Sequence, residues 1–189
     1  AISKSHDSGT PVEGKVVDSA TRQRLGPNQR GELMLRGPGI TPGYWHQPEA
    51  TAKAFADGWL CTGDIAYFDD DGDYYIVDRS KDMYISGGEN VYPAEVENVI
   101  FQMEGVAEAA VIGVHDVKWG EVGKAIVALK PGAQVIAEEV IAHCKGRLAG
   151  FKAPKYVVFV PAVARNAAGK LDKPTLRKQF GYVGNDVGK

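Results

Sequence analysis

Between Lys145 and Lys178 the chain carries nine basic side chains, Lys145, Arg147, Lys152, Lys155, Arg165, Lys170, Lys173, Arg177 and Lys178, against a single acid, Asp172. A local excess of this size creates a field that attracts phosphate groups. It can equally be a solvated basic face, and charge alone leaves both readings open. Residues 1–80 carry 8 basic and 12 acidic side chains and residues 81–189 carry 14 and 12, which sums to a net charge of −2. That total suggests neither a nucleic-acid coat nor an acidic tail. The run Asp69-Asp70-Asp71-Gly72-Asp73 invites a calcium loop, but with Gly72 at the sixth position the first ligand would be Tyr67 and the last Asp78, where a calcium loop needs Glu. It reads as a hairpin turn. Cys61 and Cys144 belong to no CxxC or Cys/His cluster, so neither a disulfide framework nor a zinc site is indicated. A reducing cytoplasm is the simplest setting.

These residues need elements to position them, and period and punctuation supply candidates. Glu13–Asp18 and Gly31–Arg36 read as strands joined by a turn around Gly26-Pro27-Asn28. Pro48 opens a short helix through Phe55, and Leu60–Phe68 and Tyr74–Val77 flank the acidic turn. After Asp78-Arg79 the grammar changes. Met83–Ile85 is a short strand and Gly87-Gly88 a flexible loop. Pro93 then starts a helix whose Val96, Val99, Ile100 and Met103 fall at i, i+3, i+4 and i+7. Val106–Val114 and Gly123–Leu129 read as strands, Val135–Leu148 as a helix with Val140, Ile141 and Cys144 inward, Tyr156–Val160 as a strand and Pro174–Phe180 as a last helix. Strands alternating with helices predict a small α/β or α+β layer domain of about 100 residues, preceded by an all-β piece, with the boundary near residues 79–82. The composition, 44% apolar with 23 Gly and 10 Pro, is that of an ordinary globular chain. The longest apolar run, Tyr156 to Ala164, is half of the roughly 18 residues that a spanning helix needs. The opening AISKSHDSGT is polar, begins without Met and reads as an expression scar or the cut edge of something longer.

Six phrases occur in a characteristic order: GELMLRGPGITPGYWHQPEAT (31–51), DGWLCTGD (57–64), DRSKDMYISGGENVYPAEVE (78–97), KWGE (118–121), FKAPK (151–155) and NAAGKLDK (166–173). Together they resemble the adenylate-forming superfamily of acyl- and aryl-CoA synthetases, luciferases and peptide-synthetase adenylation domains. The resemblance covers nearly the whole chain and implies the tail of a large N-terminal AMP-binding domain, β-barrel-like, over residues 1–80. A small mobile C-terminal lid domain, a three-stranded sheet with helices, would follow over 81–189. The family's phosphate loop and the glutamate that holds magnesium lie upstream and have no counterpart here; the acid pocket is upstream too. The isolated 189 residues are accordingly expected to be inactive in ATP–pyrophosphate exchange.

The resemblance also implies roles. Asp64 would accept hydrogen bonds from both ribose hydroxyls of ATP, as an acceptor-only carboxylate can; alternatively it caps a turn after Gly63. Arg79 would reach the nucleotide with a fixed charge, or else pair with Asp78 or Asp82 at a strand end. Lys81 occupies the hinge position or is a plain surface lysine. Gly87 and Gly88 would line the tunnel of the pantetheine arm, where the absence of Cβ lets a slender chain pass. Trp119 and Phe151 would contact the adenine of CoA, with Lys152 and Lys155 at its phosphates. Ala153 stands where some relatives carry Arg, and Phe151 could instead be buried. Lys170 would be the mobile catalytic lysine that bridges the attacking carboxylate and the α-phosphate. The implied parent is an AMP-forming acid:CoA ligase of the cytoplasm, using ATP, Mg2+ and CoA on a fatty or aromatic acid. Its other partner would be its own N-terminal domain, without nucleic acid or a membrane span. A carrier-protein-loading enzyme and a non-catalytic CoA- or partner-binding module are the alternatives.

Overall fold

The computed structural model describes residues 12–182, so the opening AISKSHDSGT lies outside the described residues. The chain divides into two compact units, Ala1–Lys81 and Asp82–Lys189.

In the first unit, strands β1 (Glu13–Val17), β2 (Gly31–Arg36), β3 (Phe55–Ala56), β4 (Trp59–Phe68) and β5 (Tyr74–Arg79) form one antiparallel sheet, with helix α1 (Pro48–Ala54) leading into β3. The ladder runs β1-β2-β4-β3, and β5 also pairs with β4. In a flat sheet β1 and β5 would stand three spacings, about 14 Å, apart. Yet the Tyr74 hydroxyl of β5 donates to the Gly14 carbonyl of β1 at 2.7 Å. A tyrosine side chain cannot span the flat distance, so the sheet is strongly curled, although no backbone ladder among the described residues closes it into a barrel. The acidic run is a turn: the Asp69 carboxylate accepts the Asp73 N–H at 2.9 Å and the Tyr75 hydroxyl at 2.9 Å. Those two donors hold the Asp69 carboxyl below its ordinary range.

The second unit contains β6 (Tyr84–Ser86), β7 (Glu89–Val91), α2 (Pro93–Phe101), β8 (Val106–Asp116), β9 (Gly120–Leu129), α3 (Ala137–Lys145), β10 (Tyr156–Phe159) and α4 (Lys173–Phe180). Its sheet has five strands rather than three: β10-β9-β6-β7, with β8 also on β9. The two extra strands are the three-residue arms of a hairpin about Gly87-Gly88. Arms that short carry too few residues to show a period of two.

Strands β8 and β9 are covered on both faces. Val111, Ala125 and Val127 pack with Val96 and Ile100 of α2 and Val140 and Cys144 of α3. Ala110, Ile112, Val114 and Ile126 pack on the other side with Leu176 of α4 and with Val163 of the segment before the Lys170 loop. The alternation along each strand sends successive side chains to opposite layers, which gives a helix–sheet–helix sandwich. One break in the pattern positions the hairpin. Gly113 and Gly123 are cross-strand neighbours, and the Tyr84 side chain of β6 lies over them. A Cβ on Gly113 would come within 2.5 Å of the Tyr84 Cβ, and one on Gly123 within 2.5 Å of its hydroxyl. The paired glycines thus make the slot that seats Tyr84, and with it the Gly87-Gly88 turn. Burial of that hydroxyl among apolar neighbours raises its pKa.

Candidate functional site

The residues singled out by sequence fall into three groups, each internal to one unit. In the first unit Asp64 and Arg79 are register partners across the β4–β5 ladder. Their side chains meet, Arg79 Nη1 donating to Asp64 Oδ1 at 2.8 Å, so Arg79 pairs with Asp64 rather than with Asp82. Thr62 sets the local bend: its hydroxyl accepts the Asp64 N–H at 3.1 Å and donates to the Leu33 carbonyl at 2.7 Å. The backbone of Arg79 donates to its neighbour Asp78 at 2.7 Å. The result is an oriented carboxylate beside a half-exposed guanidinium, a pairing that offers an acceptor and a fixed cation to one polar ligand.

The second group surrounds a cavity of about 550 Å³ in the second unit, lined among others by Ser86, Trp119, Ile141, Phe151, Ala153 and Lys155. Gly87 borders it through Trp119. The Gly87 N–H donates to the Trp119 carbonyl at 2.9 Å, and a Cβ on Gly87 would lie 2.8 Å from the indole ring. With φ at +61°, the position suits glycine on backbone grounds as well. Phe151 and Lys152 sit on a 3-10 turn, Gly150–Lys152. Phe151 is half-buried and faces both the core and the cavity. Lys152 turns away to Glu95, at 2.8 and 2.9 Å from its two oxygens, and Gly88 is an exposed turn residue with open space about its Cα. Ile141, expected to face the core with Val140 and Cys144, lines the cavity instead.

Asp116, which sequence reasoning passed over, organises this group. Its Oδ1 accepts the N–H groups of Lys118 and Trp119 at 2.9 and 3.0 Å, and its Oδ2 takes the Lys155 ammonium at 2.6 Å. One carboxylate therefore fixes both the indole and the lysine. The Lys155 ammonium, helped by the two N–H donors, holds the Asp116 carboxyl below its ordinary value of 3.8. A carboxyl depressed on folding stabilises the fold fully above the ordinary value, and that contribution is lost as pH falls through the lowered one. Melting temperature measured from neutral pH to below 3.8 should therefore show the wild-type advantage over Asp116→Asn shrinking with acid. A difference independent of pH would deny Asp116 this ionic role.

The third group is the tip that carries Lys170. Residues 165–171 form a tight hairpin with a bridge between Arg165 and Leu171. The Asn166 carboxamide oxygen accepts the N–H groups of Ala168 and Lys170 at 3.0 and 3.1 Å, and the Asn166 N–H donates to the Lys170 carbonyl at 2.8 Å. Gly169, with φ at +75°, makes the reversal. Lys170 is exposed at the end.

The basic stretch reads differently in three dimensions. Five of its nine cations meet carboxylates brought in from elsewhere: Lys152 with Glu95, Lys155 with Asp116, Arg165 with Glu108, Lys173 with Glu97 and Arg177 with Asp82. Neither a bare phosphate-attracting field nor a merely solvated face describes it. Among the described residues no group of three or more His, Cys, Asp or Glu side chains is placed to hold a metal ion. No helix among them is long and apolar enough to cross a membrane.

The first unit is thus a curled β unit bearing an Asp–Arg pair, and the second an α/β/α unit bearing an aromatic–lysine cavity and a lysine-tipped hairpin. The chain carries the AMP-binding enzyme C-terminal domain, which residues 95–170 match. It is 48% identical over 155 residues to a feruloyl-CoA synthase of Amycolatopsis sp, covering 82% of this chain and 32% of that protein. It is 49% identical over 152 residues to a 2-succinylbenzoate–CoA ligase of Geobacillus kaustophilus, covering 80% and 31%. The crystal structure of ATP-bound MatB from Rhodopseudomonas palustris superposes with a TM-score of 0.84 at 40% identity, over 90% of this chain and 34% of that one. The chain thus spans about a third of the length of the relatives it matches.

Proposed function

We propose that this chain serves an acid:CoA ligase that activates a fatty or aromatic carboxylic acid with ATP and passes the acyl group to CoA. The observation that carries the reading is the cavity in which Trp119, Phe151 and Lys155 converge beside the Gly87 turn. Two aromatic rings with a cation at the rim suit a phosphorylated adenosine, since a ring offers a stacking face and an ammonium a phosphate partner. Lys155 lines the cavity and stays half-exposed although paired with Asp116, whereas Lys152 is mostly buried against Glu95 and does not line it.

In the first half-reaction Asp64 and Arg79 hold the ribose and phosphates of ATP while the acid carboxylate attacks the α-phosphate and pyrophosphate leaves. The Lys170 ammonium offsets the negative charge that builds between the two oxygens. The magnesium ligand is expected from the upstream domain. In the second half-reaction the small unit turns about Lys81, withdraws Lys170 and admits the pantetheine arm along Gly87 and Gly88. The CoA thiol then attacks the acyl carbon, with AMP as leaving group.

The test uses the enzyme that carries this chain together with its upstream domain. With ATP and a panel of fatty and aromatic acids, consumption of the free thiol is measured with CoA and, in parallel, with a phosphopantetheinylated carrier protein. Stoichiometric loss of CoA thiol and release of AMP are expected. Transfer to the carrier alone would assign the carrier-loading activity instead, and CoA binding without AMP release would leave a binding module.

A further inference from the structure

The Lys170 hairpin is exposed, and a catalytic ammonium at the end of a flexible arm loses its geometry easily. One side chain ties that arm to the sheet. Arg165, at the base of the hairpin, donates through Nη1 to the Gly169 carbonyl at 2.6 Å, one residue before Lys170. Through Nε and Nη2 it also donates to Glu108 Oε1 on β8, at 3.1 and 2.6 Å. The second oxygen of Glu108 accepts the Val163 N–H at 3.3 Å, which fixes the segment that enters the hairpin. These contacts triangulate the loop. Glu108 holds its entrance and its arginine, and the arginine holds its tip, all referenced to a strand buried on both faces. A planar guanidinium suits this work because its fork of donors points in fixed directions, whereas an ammonium reaches one partner or the other.

We infer that Arg165 and Glu108 form a positioning clamp that holds Lys170 in register for adenylate formation, an inference that rests on the function proposed above. Lys170 itself has the role of touching the reacting atoms; Arg165 and Glu108 act only through the hairpin. The donors that hold the Glu108 carboxyl below its ordinary range, with Arg165 first, are those that define the clamp. The pair is partly exposed, with side chains 47% and 30% accessible. Ion pairs of that exposure add little to stability. Its role therefore lies in placing the loop.

The experiment measures the two half-reactions separately, with melting curves, in the enzyme carrying this chain and its upstream domain. Since a misplacement of about 1 Å can cost on the order of 10²-fold, Arg165→Ala should lower the adenylation kcat by about 10- to 100-fold. The KM for ATP should stay within about twofold, and thioester formation from supplied acyl-adenylate should be unchanged. Arg165→Lys should recover only part of the loss, and Glu108→Ala combined with Arg165→Ala should cost little more than either alone. Equal loss in both half-reactions, or full recovery with lysine, would overturn the clamp. Lys170→Ala in parallel separates the two readings. If it abolishes adenylation while Arg165→Ala does not change it, the clamp fails and the role of Lys170 stands; if it leaves adenylation intact, the role of Lys170 fails and the clamp with it; absence of adenylation in the unsubstituted enzyme would instead sink the proposed function.

Discussion

Lys170→Ala, made in the enzyme that carries this chain, should depress adenylate formation by about 10²–10³-fold or more, the scale typical of a lost electrostatic group at a developing charge. Conversion of a supplied acyl-adenylate to thioester should be nearly untouched. The hairpin predicts that the variant folds, because every hydrogen bond seen at position 170 uses the backbone. Its N–H goes to the Asn166 carboxamide and its carbonyl accepts the Asn166 N–H. Alanine keeps both. The exposed side chain leaves no cavity when removed. Single-turnover measurement of pyrophosphate release and of thioester formation checks the split; equal damage to both would remove Lys170 from the catalytic role.

Lys81→Pro should leave adenylation running and stop thioester formation. Lys81 is the last residue of the first unit and an exposed turn residue. The hinge proposed at Lys81 has one anchor on each side. The preceding Ser80 donates its N–H to the Gly63 carbonyl at 2.9 Å, which anchors it to β4. The following Asp82 is buried and takes the Arg177 guanidinium of α4 at 2.8 Å, which anchors it to the second unit. On the proposed hinge, Lys81 takes up the change in backbone dihedrals between these two anchors. Proline fixes φ near −65° and restricts the residue before it, so the changeover is lost. The expected deficit is on the order of 10²-fold in the second half-reaction, with an unaltered melting temperature. An unchanged second half-reaction would reject Lys81 and shift attention to Ser80 or Asp82.

Regular period made much of the fold legible. Val96, Val99 and Ile100 fall on one face of α2, Met103 continues that face just past its end, and all four lie against one core in space. The hairpin about the acidic turn and the helix opened by Pro48 also stand where turn chemistry puts them. The β7 arm escaped because three residues cannot display a repeat, while β6 stands one residue beyond the strand expected over Met83–Ile85. The Asn166–Lys170 hairpin is local turn chemistry, Asn and Gly being turn residues in themselves, yet Lys170 was singled out only through the family resemblance. The site was illegible where partners are remote. Asp116 lies 39 residues from Lys155, Glu108 lies 57 from Arg165 and Asp82 lies 95 from Arg177. No spacing rule joins such pairs; only the sheet does. The apparent imbalance of the basic stretch was an artefact of reading charge along the chain, since its counter-charges come from α2, β8 and the start of the second unit.

The double cover on β8 and β9 bears on how fast the proposed changeover can go. The aromatic cavity hangs on the α3 side of those strands, and the Lys170 hairpin joins the α4 side through Leu171 and Val163. Strands packed on both faces do not flex to bring one side's chemistry to the other. The small unit must then turn as a solid body, and drag from the surrounding solvent opposes the turn. Thickening the medium with an inert cosolute would slow the interval between the two half-reactions while leaving the bond-making within each untouched.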